Sequence, residues 1–388
     1  MKKNNVYKDL SFLYFAIYWV FACYTPFLLL YLQDRQLSYI QIGAIFALNS
    51  LVNVMFQPVW GYLTDKYIDI KKALYIAVIA SSIAIVLLVQ SYKYQFIILS
   101  TIVFIAFQSS ILSLTDSLCY KIINRYNSIK YGKVRLMGSA GYAISSFLLG
   151  MVIARTSINV AFYLYSFFSL FAILFLARLD FKDEAPREEK SKVEPLQVLR
   201  NITLIVFLLS VTVASISYGA NMSYIGVLLQ ETGGNIENLG LLWFVVAMSE
   251  VPVFFISNKI ISKIGSINTY LLSLLIFSLR FFLCTLWNNT IFIIAVQFLQ
   301  GFTFPLFMAG GLDYMSGIVP LEARAFSISL MSALIFGAGA LIGNMGGGII
   351  IENFGIFTLY RMMSIISFTA LMIAMTLKKI RGSKAPSL

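Results

Sequence analysis

The sequence predicts an all-α membrane protein with twelve transmembrane helices. Of its 388 residues, 59% are hydrophobic and only 12% are charged, and the mean hydropathy is +0.84, a composition that soluble globular domains do not reach. The apolar residues form runs of about 20 residues or more, the length that an α-helix needs to cross the hydrocarbon core of a bilayer. The lipid bilayer is therefore the first predicted partner of this chain.

Apolar runs bounded by polar residues predict the individual helices. The first run contains Pro26, is long enough to cross the bilayer and lacks a signal-peptidase pattern, so it is predicted to be a span and not a cleaved leader. The predicted spans are residues 10–32, 39–64, 73–92, 95–122, 133–154, 158–177, 202–229, 237–258, 268–287, 290–318, 325–350 and 355–377. Their number is even, so both termini are predicted to lie on the same side.

Lysines and arginines are concentrated in alternate loops. Both tails and the segments at 65–72 and 121–133 contribute basic residues to one side. The opposite loops contain only Arg35, Lys93 and Arg155. Because basic loops stay in the cytoplasm, we predict a multi-pass protein of the cell (plasma) membrane with both termini cytoplasmic.

One long hydrophilic segment, residues 179–201, is rich in charged residues and contains two prolines. It is predicted to be a cytoplasmic linker. We predict an N-terminal six-helix bundle over 1–178 and a C-terminal six-helix bundle with a cytoplasmic tail over 202–388. Residues 43–66 fall without gaps on residues 240–263, which indicates that the two halves are repeats. Two parallel six-helix repeats are the organisation of one large class of secondary transporters.

The composition also excludes several classes of function. The net charge of +12 is spread over loops and forms no single basic stripe, so no nucleic-acid partner is predicted. The chain has no histidine, and Cys23, Cys119 and Cys284 lie inside predicted spans without metal-ligand spacing. We therefore predict no metal, no cofactor and, in the absence of a nucleophile and base motif, no enzymatic activity.

The string GYLTDK at 61–66 resembles the loop signature of the major facilitator superfamily, G-x-L-x-D-R/K, at the place where that signature occurs. Residues 43–74, with their FQP string, and YGKVRLMGSAGY at 131–142 resemble the oligosaccharide and nucleoside proton symporters related to lactose permease. AMSEVPVFF (247–255) and LRFF (279–282) resemble the eighth and ninth helices of that group. The resemblance implies the major facilitator fold and transport by alternating access.

The resemblance also implies roles for individual residues. Arg135 matches an arginine that binds substrate, and Tyr142 matches an aromatic residue that stacks on the sugar. Glu250 matches an acid that serves both substrate and proton, and Arg280 matches the ninth-helix arginine. Asp116 matches the carboxylate that pairs with the fifth-helix arginine once a gap of one residue is allowed.

The tenth span departs from that group. Where its members carry a lysine, a histidine and a glutamate, this chain has Gln297, Gln300 and Thr303, which cannot carry a proton near neutral pH. Glu250 lies near the middle of its span, where an ionised group is costly unless it is paired or faces water. Glu250 is therefore the predicted proton-coupling residue, with Arg280 as its partner, and the alternative is a static pair that locks two helices.

Two arrangements are open for Asp116. It either pairs with Arg135 and helps to bind substrate and protons, or forms a packing ion pair with Lys121 or Arg125. Three more polar side chains could bind a polar solute or make ordinary interhelical contacts. They are Tyr24, Asn53 and Asn221.

Several residues are predicted to act in gating. In the 61–66 loop, Gly61 would allow close packing of helix ends, and Asp65 with Lys66 would latch one conformation. Asp313 would pair with Arg324 at the cytoplasmic end, or else face the cavity and share in proton coupling.

The predicted function is proton-coupled uptake of a small polar organic solute by a monomer, with a sugar, an oligosaccharide or a nucleoside as substrate. Proton-driven efflux of drugs or lipids is the alternative within the same fold, although the fifth span lacks the proline typical of drug antiporters. A transport-dead membrane sensor or scaffold is the alternative from another class, and the charged residues inside the spans argue against it.

Overall fold

The computed structural model describes residues 3–125, 131–179 and 201–382. Within these residues, twelve helices are long and apolar enough to cross a membrane, which confirms the predicted fold class. They are α1 (Val6–Asp34), α2 (Tyr39–Lys66), α3 (Ile70–Val89), α4 (Tyr94–Ile123), α5 (Tyr131–Ala154), α6 (Ile158–Arg178), α7 (Ile202–Glu231), α8 (Ile236–Ile264), α9 (Ser266–Leu283), α10 (Thr290–Ile318), α11 (Phe326–Phe354) and α12 (Ile356–Lys378).

The helix ends differ from the predicted ends where a helix continues beyond its apolar run. Helix α8 shows this best, because it extends through polar residues to Ile264 and stops at Gly265. Gly265 has a φ of 84°, in the left-handed region that favours glycine after a helix C-terminus. Hydropathy marks the part of a helix that lies in lipid, whereas backbone chemistry decides where the helix stops.

Prolines and one wide turn make several helices irregular. Helix α1 is interrupted by a turn that contains Pro26. Pro58, Pro252 and Pro305 lie inside α2, α8 and α10, where each removes a backbone hydrogen bond. Residues Leu334–Gly339 of α11 form a π-helical turn.

The helices form two compact units. Unit 1 is Met1–Ser38, Leu51–Glu188 and Gly234–Ala247. Unit 2 is Tyr39–Ser50, Glu189–Gly233 and Met248–Leu388. The first part of α2 thus packs with unit 2 and the first part of α8 with unit 1. The predicted boundary at 179–201 lies almost entirely outside the described residues and stays a prediction.

Each unit contains one tight crossing between glycines, and the two crossings occupy repeat-related positions. In unit 2, a Cβ on Gly43 would lie 3.2 Å from the Cα of Gly348. In unit 1, a Cβ on Gly240 would lie 3.0 Å from the Cα of Gly150 and 2.5 Å from a backbone oxygen of α5. Such distances leave no room for a side chain. Residues 43–66 and 240–263, which are predicted to be repeats, therefore also share a close glycine contact near the start of α2 and of α8.

Candidate functional site

Unit 1 holds Asp116 in a cluster of tyrosines. The hydroxyl of Tyr14 on α1 donates to Asp116 Oδ1 at 2.6 Å, and the hydroxyl of Tyr131 on α5 donates to the same oxygen at 3.1 Å. Tyr14 is fully buried and Asp116 is half-buried. The carboxylate therefore joins α4 to two other helices.

Arg135 belongs to the same cluster through aromatic contacts. Its guanidinium carbon lies 4.2 Å from the ring centroid of Tyr18, and that ring stacks on Tyr14 at 6.3 Å. Tyr131 interacts electrostatically with both Asp116 and Arg135. The structure thus brings the predicted pair into one cluster, in which tyrosines make the described hydrogen bonds to the carboxylate. The direct pairing stays a prediction, and the side chain of Arg125, an alternative partner, lies outside the described residues.

Unit 2 holds Glu250 beside two residues of α10. The side-chain amide of Gln300 donates to Glu250 Oε1 at 3.1 Å. The hydroxyl of Thr303 donates to the backbone oxygen of Gln300 at 2.9 Å and lies 3.3 Å from Gln300 Oε1. Of the three residues at the place of departure from the family pattern, Gln300 therefore contacts the predicted proton-coupling acid and Thr303 contacts Gln300.

Arg280 is the largest fully buried side chain in the described structure. Its guanidinium carbon lies 4.8 Å from the ring centroid of Phe281 and 5.7 Å from that of Phe277. Its three nitrogens make no hydrogen bond to any described residue. Cys284, Tyr360, Glu250 and Tyr218 interact with it electrostatically, and Glu250 is the carboxylate among them, whereas a direct pairing of Arg280 with Glu250 stays a prediction. A buried cation is sensitive to the protonation of an acid that interacts with it.

Asp313 and Arg324 line one cavity of about 310 Å³ in unit 2, together with Ser266 and Ser316. Both charged side chains are exposed. The cavity suits the gating arrangement for Asp313, and its part in proton coupling stays a prediction.

The remaining substrate candidates differ in their surroundings. Tyr142 is half-buried, lies 3.0 Å from the hydroxyl of Thr25 and meets Trp243 edge to face. Asn53 accepts a hydrogen bond from Gln57 on the same helix at 2.7 Å.

Tyr24 and Asn221 are buried in helix contacts. Tyr24 packs edge-on against Phe104 with 4.8 Å between the ring centroids. Asn221 is 3% exposed and accepts a hydrogen bond from Tyr360 at 2.9 Å. These contacts match the interhelical alternative, and a role in substrate binding stays a prediction.

No described contact supports the packing role predicted for Gly61, which stays a prediction. No heavy atom of a described residue, outside its own helix backbone and its chain neighbours, lies within 4 Å of the position that a Cβ would occupy. Among the described residues, this side of α2 therefore has no close neighbour. Lys66 bonds to Tyr62 at 3.3 Å on its own helix, and Asp65 lies exposed beside it.

Sequence reasoning missed the residues that hold the two acids. Tyr14 donates to Asp116 and Gln300 donates to Glu250, and each has a second polar residue one helical turn away, Tyr18 and Thr303, so each pair faces one direction. That spacing was a usable signal. Asn344 was also missed, although it is 5% exposed and bonds to the backbone oxygen of Phe46 and to Ser50 and Ser223 within unit 2.

Comparisons with known proteins agree with this architecture. The model of the MFS_1 like family matches residues 7–362. The transporter YwbF of Bacillus subtilis is 30% identical over 92% of this chain and 90% of its own length. The maltose permease of Geobacillus stearothermophilus is 27% identical over 94% and 93%.

Among solved structures, the nucleoside transporter NupG superimposes with a TM-score of 0.86, covering 97% of this chain and 99% of that chain at 16% identity. At this identity the likeness shows the fold alone. The twelve apolar helices, the family match and these relatives lead to one conclusion: the chain belongs to the MFS_1-like family of the major facilitator superfamily, a multi-pass membrane transporter of small solutes and not an enzyme.

Proposed function

We propose that this transporter takes up a small polar organic solute together with a proton. A sugar, an oligosaccharide or a nucleoside is the proposed substrate. The maltose permease matches nearly the full chain, and the nucleoside transporter shares the fold. The proposed transport cycle is alternating access.

The environment of Glu250 supports coupling to a proton. An ionised Glu250 offsets the charge of the buried Arg280. Protonation removes that negative charge, and a buried cation without a counter-charge costs free energy unless another acceptor reaches it. The oxygens of a polar substrate are such acceptors. Proton and substrate then favour each other's binding, which is the thermodynamic basis of symport.

The other predicted sites enter the proposal as follows. Asp116 and Arg135 contribute substrate contacts from unit 1, with Tyr142 as a stacking surface, whereas Asp313 and Arg324 act in gating. The protein functions as a monomer in the cell membrane with both termini in the cytoplasm.

The test is uptake into proteoliposomes under an inward proton gradient, with a panel of sugars, oligosaccharides and nucleosides. We expect one class to accumulate and to make the external medium more alkaline. Glu250→Gln should abolish accumulation while leaving substrate counterflow, because only the proton-dependent step is lost. Glu237→Gln is the matched control, since Glu237 is an exposed acid at the start of the same helix.

Three results would contradict parts of the proposal. Accumulation by Glu250→Gln would remove Glu250 as the coupling residue. Proton-driven export of a substrate would establish efflux. The absence of any flux with substrates that bind would point to a sensor.

A further inference from the structure

Gln300 and Thr303 lie one helical turn apart on α10 and form a short hydrogen-bonded chain that ends on Glu250. The Thr303 hydroxyl has one hydrogen, which it shares between the backbone oxygen of Gln300 at 2.9 Å and Gln300 Oε1 at 3.3 Å, and Gln300 Nε2 donates to Glu250 Oε1 at 3.1 Å. Gln300 is 1% exposed and Thr303 is completely buried. Their contacts are therefore protected from competition by bulk water.

We infer that Gln300 is a positioning residue that sets the pH at which Glu250 takes up its proton, and that Thr303 fixes the orientation of the Gln300 amide. This inference rests on the proposed function, in which Glu250 is the coupling residue. The inference gives α10 a role in proton coupling, although Gln300 and Thr303 cannot themselves carry a proton near neutral pH.

The two ends of an amide side chain have opposite hydrogen-bonding roles. Its NH₂ group donates and its oxygen accepts. With Nε2 facing Glu250, the amide serves an ionised carboxylate, and such a charge-assisted bond is stronger than one between neutral groups. The observed orientation of Gln300 therefore favours the ionised form of Glu250.

Protonation of Glu250 Oε1, the oxygen that accepts from Gln300, requires this arrangement to change. A hydronium ion gives up one proton, which breaks one of its O–H bonds and leaves a water molecule, and a new O–H bond forms on Oε1. The new hydroxyl donor needs an acceptor. Rotation of the Gln300 amide would present Oε1 to it, but that rotation gives up the contact between Oε1 and the Thr303 hydroxyl. Thr303 thus opposes the rotation that protonation of Oε1 requires.

Arg280 on α9 interacts electrostatically with Glu250, and the other titratable groups that interact with Arg280 come from three helices. They are Cys284 at the C-terminal end of α9, Tyr360 on α12 and Tyr218 on α7. Arg280 is the cation among them and favours an ionised Glu250 by charge. Gln300 adds a hydrogen bond to the carboxylate, whereas the Arg280 nitrogens make none to any described residue.

The test is the pH dependence of accumulation and of substrate binding by Gln300 and Thr303 variants. Gln300→Met removes the donor to the carboxylate, so the proton binds more readily and the pH midpoint should rise by about 0.5 to 1 unit. Thr303→Val should raise it by less, and Thr303→Ser should restore the wild-type value. Gln297→Met and Thr269→Val are matched controls, because both residues are fully buried in unit 2 and their hydrogen bonds go to groups other than Glu250.

Gln300→Glu covers the case in which Gln300→Met fails to fold. It is nearly the same size and places a second carboxyl group next to Glu250, so mutual repulsion should raise the midpoint by more than about 1 unit. Infrared spectroscopy measures the protonation of Glu250 directly, without transport. The carboxylic-acid band of Glu250 is identified as the one that disappears in Glu250→Gln.

Unchanged midpoints in Gln300→Met and Gln300→Glu, with coupling still lost in Glu250→Gln, would overturn this inference and leave the proposed function intact. If the infrared band of Glu250 in the wild-type protein does not change over the pH range in which substrate uptake changes, both this inference and the proposed function are overturned.

Discussion

Asp116 shows how hydrogen bonds stabilise a single charged side chain inside an apolar helix. Its carboxylate receives hydroxyl groups from Tyr14 and Tyr131, so its charge is stabilised by directed donors within unit 1. Glu250 receives an amide from Gln300 and a charge interaction from Arg280. The interaction with a buried cation makes protonation of Glu250 consequential for its surroundings.

At the same scale, Tyr14→Phe should destabilise the protein. It removes a donor to a charged group at 2.6 Å and leaves the rest of the ring in place. The expected loss is about 1.5 to 3 kcal/mol, seen as a lower Tm in detergent. Tyr165→Phe is the control, since this buried tyrosine bonds to the neutral hydroxyl of Ser81, and about 0.5 to 1.5 kcal/mol is expected. Equal losses in the two variants would show that the Asp116 contact has no special strength.

Among the helices, the glycine crossings decide where α2 and α8 begin to pack. Gly43 lies against α11 in unit 2, and Gly240 lies against α5 in unit 1. At such distances a helix backbone touches its neighbour directly, and small residues are what make this approach possible. The repeat in the sequence is therefore also a repeat of contacts.

Gly240→Ala should separate α8 from α5. The new Cβ would lie 2.5 Å from the backbone oxygen of Ser146, which cannot move aside as a flexible side chain could. A loss of about 1 to 3 kcal/mol is expected in thermal unfolding. Gly61→Ala in the same unit meets open space and should be neutral or stabilise its helix by up to about 1 kcal/mol. A destabilised Gly61→Ala protein would restore the packing role that the structure does not show.

For the whole molecule, the asymmetry of basic residues predicts its orientation in the membrane. A cysteine at position 93 should react with a membrane-impermeant maleimide in intact cells, and a cysteine at position 66 should react only after permeabilisation. Lys93 and Lys66 are both exposed, whereas the native Cys23, Cys119 and Cys284 are buried and should give little background. Labelling of position 66 in intact cells would reverse the proposed topology.

The number and placement of the spans could be predicted because lipid imposes a length and a polarity on each helix separately. The helix ends were less predictable, because they depend on capping residues and because a helix can continue beyond the lipid. Helix α8, which ends just before Gly265, shows this. The identities of the intramembrane acids and arginines were also readable, since charge in an apolar run stands out.

By itself, the sequence determined the twelve helices, the pairing of α2 with α8 as repeats, and Asp116, Glu250 and Arg280 as candidates. Only the tertiary structure decided what surrounds them: tyrosines on Asp116, Gln300 on Glu250, open space at Gly61, and the crossings of Gly43 with Gly348 and of Gly240 with Gly150. The physical reason is range. Hydropathy and helical spacing act within one helix, whereas a hydrogen bond or a backbone contact between helices depends on relative positions that no single segment specifies.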